Sequence, residues 1–78
     1  MKDLIQFIAR SLVDDPTQVE VNQVQRGPSI EIRLSVSKED MGRVIGKHGR
    51  VANAMRALLR VSAAREGKRA RLDILEPR

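Results

Sequence analysis

The stretch Gly42-Arg43-Val44-Ile45-Gly46-Lys47-His48-Gly49-Arg50 sets two glycines three positions apart between two segments of helical character, rather than after a strand. Without side chains, Gly46 and Gly49 let a phosphodiester backbone come close to the protein backbone, and the amides that open the following helix add the positive end of its dipole. Lys47, Arg50 and Arg43 bring positive charge to the same point. The same residues also suit a tight turn between helices, with Lys47 and His48 solvated at its tip, and two glycines alone do not separate the two readings. A Walker loop is excluded, because only three residues part Gly42 from Gly46 and His48 follows Lys47 where Ser or Thr is needed. A dinucleotide fingerprint fails as well, since no Gly-x-Gly precedes the pair.

Downstream of this stretch, Arg50 to Glu66 is dense in Ala, Leu, Met and Arg, which are strong helix formers, and Gly67 stops it. Arg69 to Leu75 then alternates Ala70, Leu72 and Ile74 with Arg69, Arg71 and Asp73, the pattern of a strand. Upstream, 38–45 forms a short helix that starts after Ser37, with Glu39 and Asp40 as negative charges suited to its N-terminus. Before it, Ser29 to Val36 alternates without error, Ile30, Ile32, Leu34 and Val36 against Ser29, Glu31, Arg33 and Ser35. Gln18 to Gln25 is a weaker strand, joined to the next across Gly27-Pro28 as a hairpin. Lys2 to Val13 carries Leu4, Ile5, Phe7, Ile8 and Leu12 at helical spacing, which places Phe7 in the core, and Asp15-Pro16 ends that helix.

The chain has 78 residues, 41% of them hydrophobic, which predicts one small domain over 1–78. With no cysteine and one histidine there is material for neither a disulfide framework nor a thiolate or zinc site, so no cofactor or metal is expected. Apolar runs are short and the first ten residues are broken by charges, so neither a membrane span nor a signal peptide is expected, and the predicted setting is cytoplasmic. Fifteen Lys and Arg against ten Asp and Glu give +5, and the excess falls after residue 36. Acidic partners are favoured.

Val44-Ile45-Gly46-Lys47-His48-Gly49 resembles the Ile-Gly-x-x-Gly signature of KH domains, which bind single-stranded RNA or DNA. The element order is similar to the type II KH arrangement, so the resemblance implies an α+β fold, α-β-β-α-α-β, with three helices on one face of a three-stranded sheet. More narrowly, a lone domain of this length with Gly-Arg-Val-Ile-Gly-Lys resembles the small bacterial RNA-binding proteins of the KhpA (YlqC) family. Those proteins are associated with homodimers, or with heterodimers to a larger KH-containing partner, KhpB. The resemblance implies that Gly46, Lys47, His48 and Gly49 clamp the backbone of about four nucleotides, that Ile45 lines the groove floor with the long helix, and that the strand 30–36 forms the opposite wall. Where many KH domains carry isoleucine, three residues after Gly49, this chain has Ala52, a shallower apolar platform.

Beside that resemblance the residues support several expectations of their own. Phe7 is the sole aromatic, so base-stacking platforms are absent and sequence specificity should be low. His48 has no nucleophile or acid suggested beside it, which argues against catalysis and for a hydrogen bond to phosphate or ribose. Apolar residues encircle the long helix further than one core face needs, and Leu58, Leu59 and Val61 are the expected dimer interface. Arg56 and Arg60, an i, i+4 pair, with Lys68 and Arg69 at the last strand's entry, are secondary RNA-binding candidates. The function these features favour is a non-enzymatic, dimeric single-stranded-RNA clamp, by resemblance an RNA chaperone or post-transcriptional regulator. The alternative is a protein-interaction module dimerising through the long helix, with incidental nucleic-acid binding.

Overall fold

In the computed structural model, residues 1–75 are described; the last three positions of the predicted 1–78 domain lie outside them. The first helix, α1 (Lys2–Leu12), has Asp3 in its first turn and Arg10 in its last, both favourable to its dipole. It buries Ile5 and Ala9 against the core, with Ile8 packed beside them. Phe7 is not in the core: it is 73% exposed. At 100° per residue it stands about 200° around the helix from Ile5, so the apolar stripe is wider than the face that the sheet covers.

Strands β1 (Glu20–Arg26) and β2 (Ser29–Ser35) form the expected antiparallel hairpin, with Val21 opposite Leu34 and Arg26 opposite Ser29. Gly27 supplies the positive φ (58°) that the first position of the two-residue turn requires. Strand β3 (Arg69–Leu75) runs parallel to β2, pairing Ile30 with Ala70, Ile32 with Leu72 and Leu34 with Ile74, which makes β2 the central strand of a mixed sheet. Parallel neighbours need a crossover, and the segment between them provides it. A 3-10 turn at Lys38–Asp40 leads into α2 (Met41–Ile45), and after the glycine loop comes α3 (Arg50–Arg65). The 38–45 segment is therefore two pieces rather than one helix. At its far end α3 closes as a Schellman motif: Lys68 N–H donates to the Ala63 carbonyl at 2.9 Å and Gly67 N–H to that of Ala64 at 3.1 Å.

The three helices lie on one face of the sheet. Between the layers Ile5, Val21, Ile30, Ile32, Leu34, Val44, Met55, Leu59 and Leu72 form one continuous core. Ala52, Met55, Leu59 and Ala63 are the buried residues of α3, spaced three or four apart. Leu59, at 1% exposure, is thus a core residue and is not available to a dimer interface. Leu58 (48%) and Val61 (57%) face outward, because neighbours one or two positions from Leu59 are rotated off the core face.

Candidate nucleic-acid interface

The loop between α2 and α3 owes its shape to its glycines. Gly46 ends α2, donating its N–H to the Gly42 carbonyl at 2.8 Å, and adopts φ 77°, ψ 169°, a conformation essentially closed to residues with a side chain. Lys47–Gly49 forms a single 3-10 turn closed by Gly49 N–H to the Gly46 carbonyl at 3.1 Å. His48 (φ 58°, ψ 24°) and Gly49 (φ 75°, ψ 15°) are both left-handed. This turn projects Lys47, His48 and Arg50 into solvent. Gly49 is the N-cap of α3 and offers no side-chain acceptor, while the Gly49 and Arg50 N–H groups donate to the Gly46 and Lys47 carbonyls, so the start of α3 presents the positive end of its dipole beside the loop. Ile45 is exposed at the end of α2, beside the loop.

Arg43 is placed differently. Its guanidinium reaches Asp14 at 3.0 Å and Asp40 at 3.6 Å, so its charge is engaged on the α1 side of the molecule. Asp40 stands at the start of α2, as the sequence suggests for it, but it is buried there, 2% exposed. Its carboxylate accepts from the backbone N–H groups of Asp14 (3.1 Å) and Asp15 (3.2 Å) and from the Ser37 hydroxyl (2.9 Å). These bonds, the Asp14 amide first, hold its pKa below the ordinary carboxylate value despite the opposing effect of burial. They also tie the segment after α1 to the start of α2, and so fix the helix that carries the loop.

The wall expected from residues 30–36 is not free, because β2 is the central strand and both its edges are paired. The edge strand on the α3 side is β3. Arg56 and Arg60 on α3 and Ala70–Asp73 on β3 border a cleft of about 350 Å³. Arg56 donates to the Asn53 side chain at 3.4 Å, and Arg71 pairs with Asp73 at 3.2 Å. Arg56 and Arg60 thus stand along the same helix as Arg50, whereas Lys68 and Arg69 lie past its other end. The α3–β3 cleft had a signal in the sequence: a strand-helix-strand crossover sets its last helix against the sheet beside the strand that follows. Ala52, on the core side of α3, is buried. Among the described residues no group of His, Cys, Asp and Glu could hold a metal ion, and no helix is long and apolar enough to cross a membrane.

Two helices joined by a Gly-x-x-Gly turn, packed on a three-stranded sheet in the order α-β-β-α-α-β, define a KH-type domain. Residues 2–74 match the family model described as KhpA/KhpB, KH domain. The chain is 48% identical over 75 residues to RNA-binding protein KhpA of Clostridium perfringens, covering 96% of this chain and all of that one. It is 46% identical over 76 residues to RNA-binding protein KhpA of Halalkalibacterium halodurans, covering 97% and 100%, and 42% identical over 74 residues to that of Borreliella burgdorferi, covering 95% and 90%. No solved structure gives a significant match. The chain belongs to the KhpA/KhpB KH-domain family, which is a non-enzymatic one.

Proposed function

We propose that this chain is a single-domain, cytoplasmic RNA-binding protein that holds the backbone of single-stranded RNA at Gly46–Gly49. The observation that carries the reading is the loop geometry: an all but glycine-only conformation at Gly46 and left-handed residues at His48 and Gly49 bring an uncapped helix start and the exposed Lys47, His48 and Arg50 to one point. Phosphate oxygens would accept from Lys47 and Arg50 beside the positive end of α3, with His48 bonding phosphate or ribose. From there the strand would follow the cleft between α3 and β3, past Ile45 and along Arg56 and Arg60, whereas Arg43, its charge balanced by Asp14 and Asp40, would contribute least. No aromatic side chain occurs in the loop, α3 or β3, so backbone contacts dominate, sequence specificity is low and affinity falls steeply with salt.

The exposed Leu58 and Val61 support assembly through α3, as a homodimer or with a larger KH-containing partner of the KhpB kind. Two clamps on one RNA would gain avidity, a property suited to an RNA chaperone or post-transcriptional regulator. The same two residues are what a pure protein-interaction module would use, and a binding titration separates the readings. Fluorescence anisotropy with single-stranded RNA compares wild type, Lys47→Asp/His48→Asp, and the charge-matched control Lys2→Asp/Arg10→Gln, all shown folded. Loss in the loop variant alone supports the clamp; equal loss in both, or in neither, overturns it.

A further inference from the structure

Exposed basic residues stand at both ends of α3 as well as along it. Lys47, His48 and Arg50 stand at its start, and Arg69 lies just past its end; the 16 residues between span about 24 Å, in a molecule 35 Å long. At this far end, the sheet face that no helix covers is strongly basic. The strand register sets Arg26, Ser29 and Arg69 in one row, and Val24, Glu31 and Arg71 in the next. Their side chains take the helix-free face because Ile30 and Leu72, in alternation with them, are buried under the helices.

These six residues border a shallow concavity of about 280 Å³. Glu31 is paired with Arg33 at 3.3 Å, and Arg71 with Asp73 at 3.2 Å. Arg26 and Arg69 have no ion-pair partner among the described residues. With strands about 4.8 Å apart, their backbones stand roughly 10 Å from each other across Ser29, so two guanidinium forks can converge on anionic groups seated over that serine. Gly27, at the adjoining turn, has open space where a side chain would stand, which leaves the approach clear.

We propose that this face is a second contact for the phosphodiester backbone of single-stranded RNA, made by Arg26 and Arg69 with Arg71 and Ser29 beside them. The proposal rests on the reading that the chain binds RNA at Gly46–Gly49. Charge complementarity favours this occupant: a flexible strand carries an anion on every nucleotide, and can meet two basic sites set one helix length apart. A strand too short to leave the loop would be held there alone.

The test is anisotropy of two single-stranded RNAs, of about 5 and about 20 nucleotides, the shorter matching the stretch that a KH loop clamps. Each is titrated across a salt series against wild type, Arg26→Gln/Arg69→Gln, Arg26→Lys/Arg69→Lys, and the control Lys2→Gln/Arg10→Gln. The glutamine pair should weaken binding of the longer RNA on the order of tenfold at low salt and flatten its log–log salt slope by about 1.4, the loss of two phosphate contacts. Binding of the shorter RNA should match the control, and the lysine pair should retain most of the affinity for the longer one. A longer-RNA affinity and slope equal to the control's, or an equal loss with both lengths, overturns the second contact and leaves this face to an acidic protein surface or to none. Should the glutamine pair not fold, the single variants Arg26→Gln and Arg69→Gln carry the test, each expected to flatten the slope for the longer RNA by about 0.7, and a slope equal to the control's in both overturns the second contact. Failure of the loop reading registers separately, as a shorter RNA that wild type does not bind or that Lys47→Asp/His48→Asp still binds.

Discussion

A Cβ at Gly46 would stand 2.5 Å from Cγ2 of Val51 and 2.9 Å from the Val51 backbone nitrogen. One of these contacts is with a side chain and can be relieved; the other is with the backbone of α3 and cannot. Gly46→Ala should therefore lower stability by at least about 1–3 kcal/mol through backbone strain alone, with the clash in addition. Gly46→Ala/Val51→Ala should recover only part of any excess over Val51→Ala. Urea denaturation of the three variants checks this, and full recovery would show that the loop can move away from α3.

Gly49 contrasts with Gly46, although both have positive φ. Around its added Cβ the nearest group is the Asn53 side-chain nitrogen at 3.8 Å. Gly49→Ala should cost only the left-handed penalty of about 1–2 kcal/mol, and Gly49→Asn less. His48 bears the same penalty already, so His48→Gly should raise the denaturation midpoint while, on the proposed clamp, weakening RNA binding. Measuring stability and affinity on one preparation would reveal these opposite signs.

Asp40 is the residue through which acid should act on the fold. Its carboxyl is held below the ordinary value of 3.8, so its contribution to stability is fully present above that value and is lost as pH falls through the lower folded-state value. Thermal melts of wild type should thus steepen in their pH dependence below about 3.8. In Asp40→Asn, melting at pH 7 should come several degrees earlier, because an amide turns one donor toward the Asp14 and Asp15 amides. Its melting temperature should depend less on pH in the acid range; an unchanged acid limb would overturn the assignment.

The outward residues of α3 should respond differently from their buried neighbour. Leu58→Asp or Val61→Asp should leave a folded chain of monomer mass by light scattering, whereas Leu59→Ala should cost about 2–5 kcal/mol of stability as a core truncation. An assembly that survives both aspartates would place the interface elsewhere.

Phe7→Ser should change stability by no more than about 0.5 kcal/mol, as an exposed site does, while Ile5→Ser, two positions away in the core, should be strongly destabilising. Equal losses would mean that Phe7 is covered in the assembled protein.

Much of this was legible in the sequence where one physical demand acts alone. Strand β2 alternates cleanly because every second residue meets the helices, and the glycine loop stands out because the backbone at Gly46 is all but closed to other residue types. Phe7 misled because helical spacing marks an apolar stripe but not its centre, which Ile5 and Ala9 hold. Leu58 and Leu59 could not be told apart by type; only the packing of α3 on β3 assigns one inward and one outward. Asp40 was legible as a charge at a helix start, but its donors Asp14 and Asp15 are brought from 26 and 25 residues away, beyond any local pattern. The α3–β3 cleft was only half legible: the crossover sets α3 against the strand that follows, but that β2 is central, with both edges paired, is a property of the whole sheet.

The steric confinement of Gly46 against Val51 and the anchoring of α2 through Asp40 also bear on how a ligand is met. A loop with one permitted shape before contact has little conformational freedom left to lose when an RNA arrives. Its encounter should therefore resemble the docking of rigid surfaces, with a small heat-capacity change, rapid association, and an affinity that is modest because the contacts are few rather than because the loop must first be ordered.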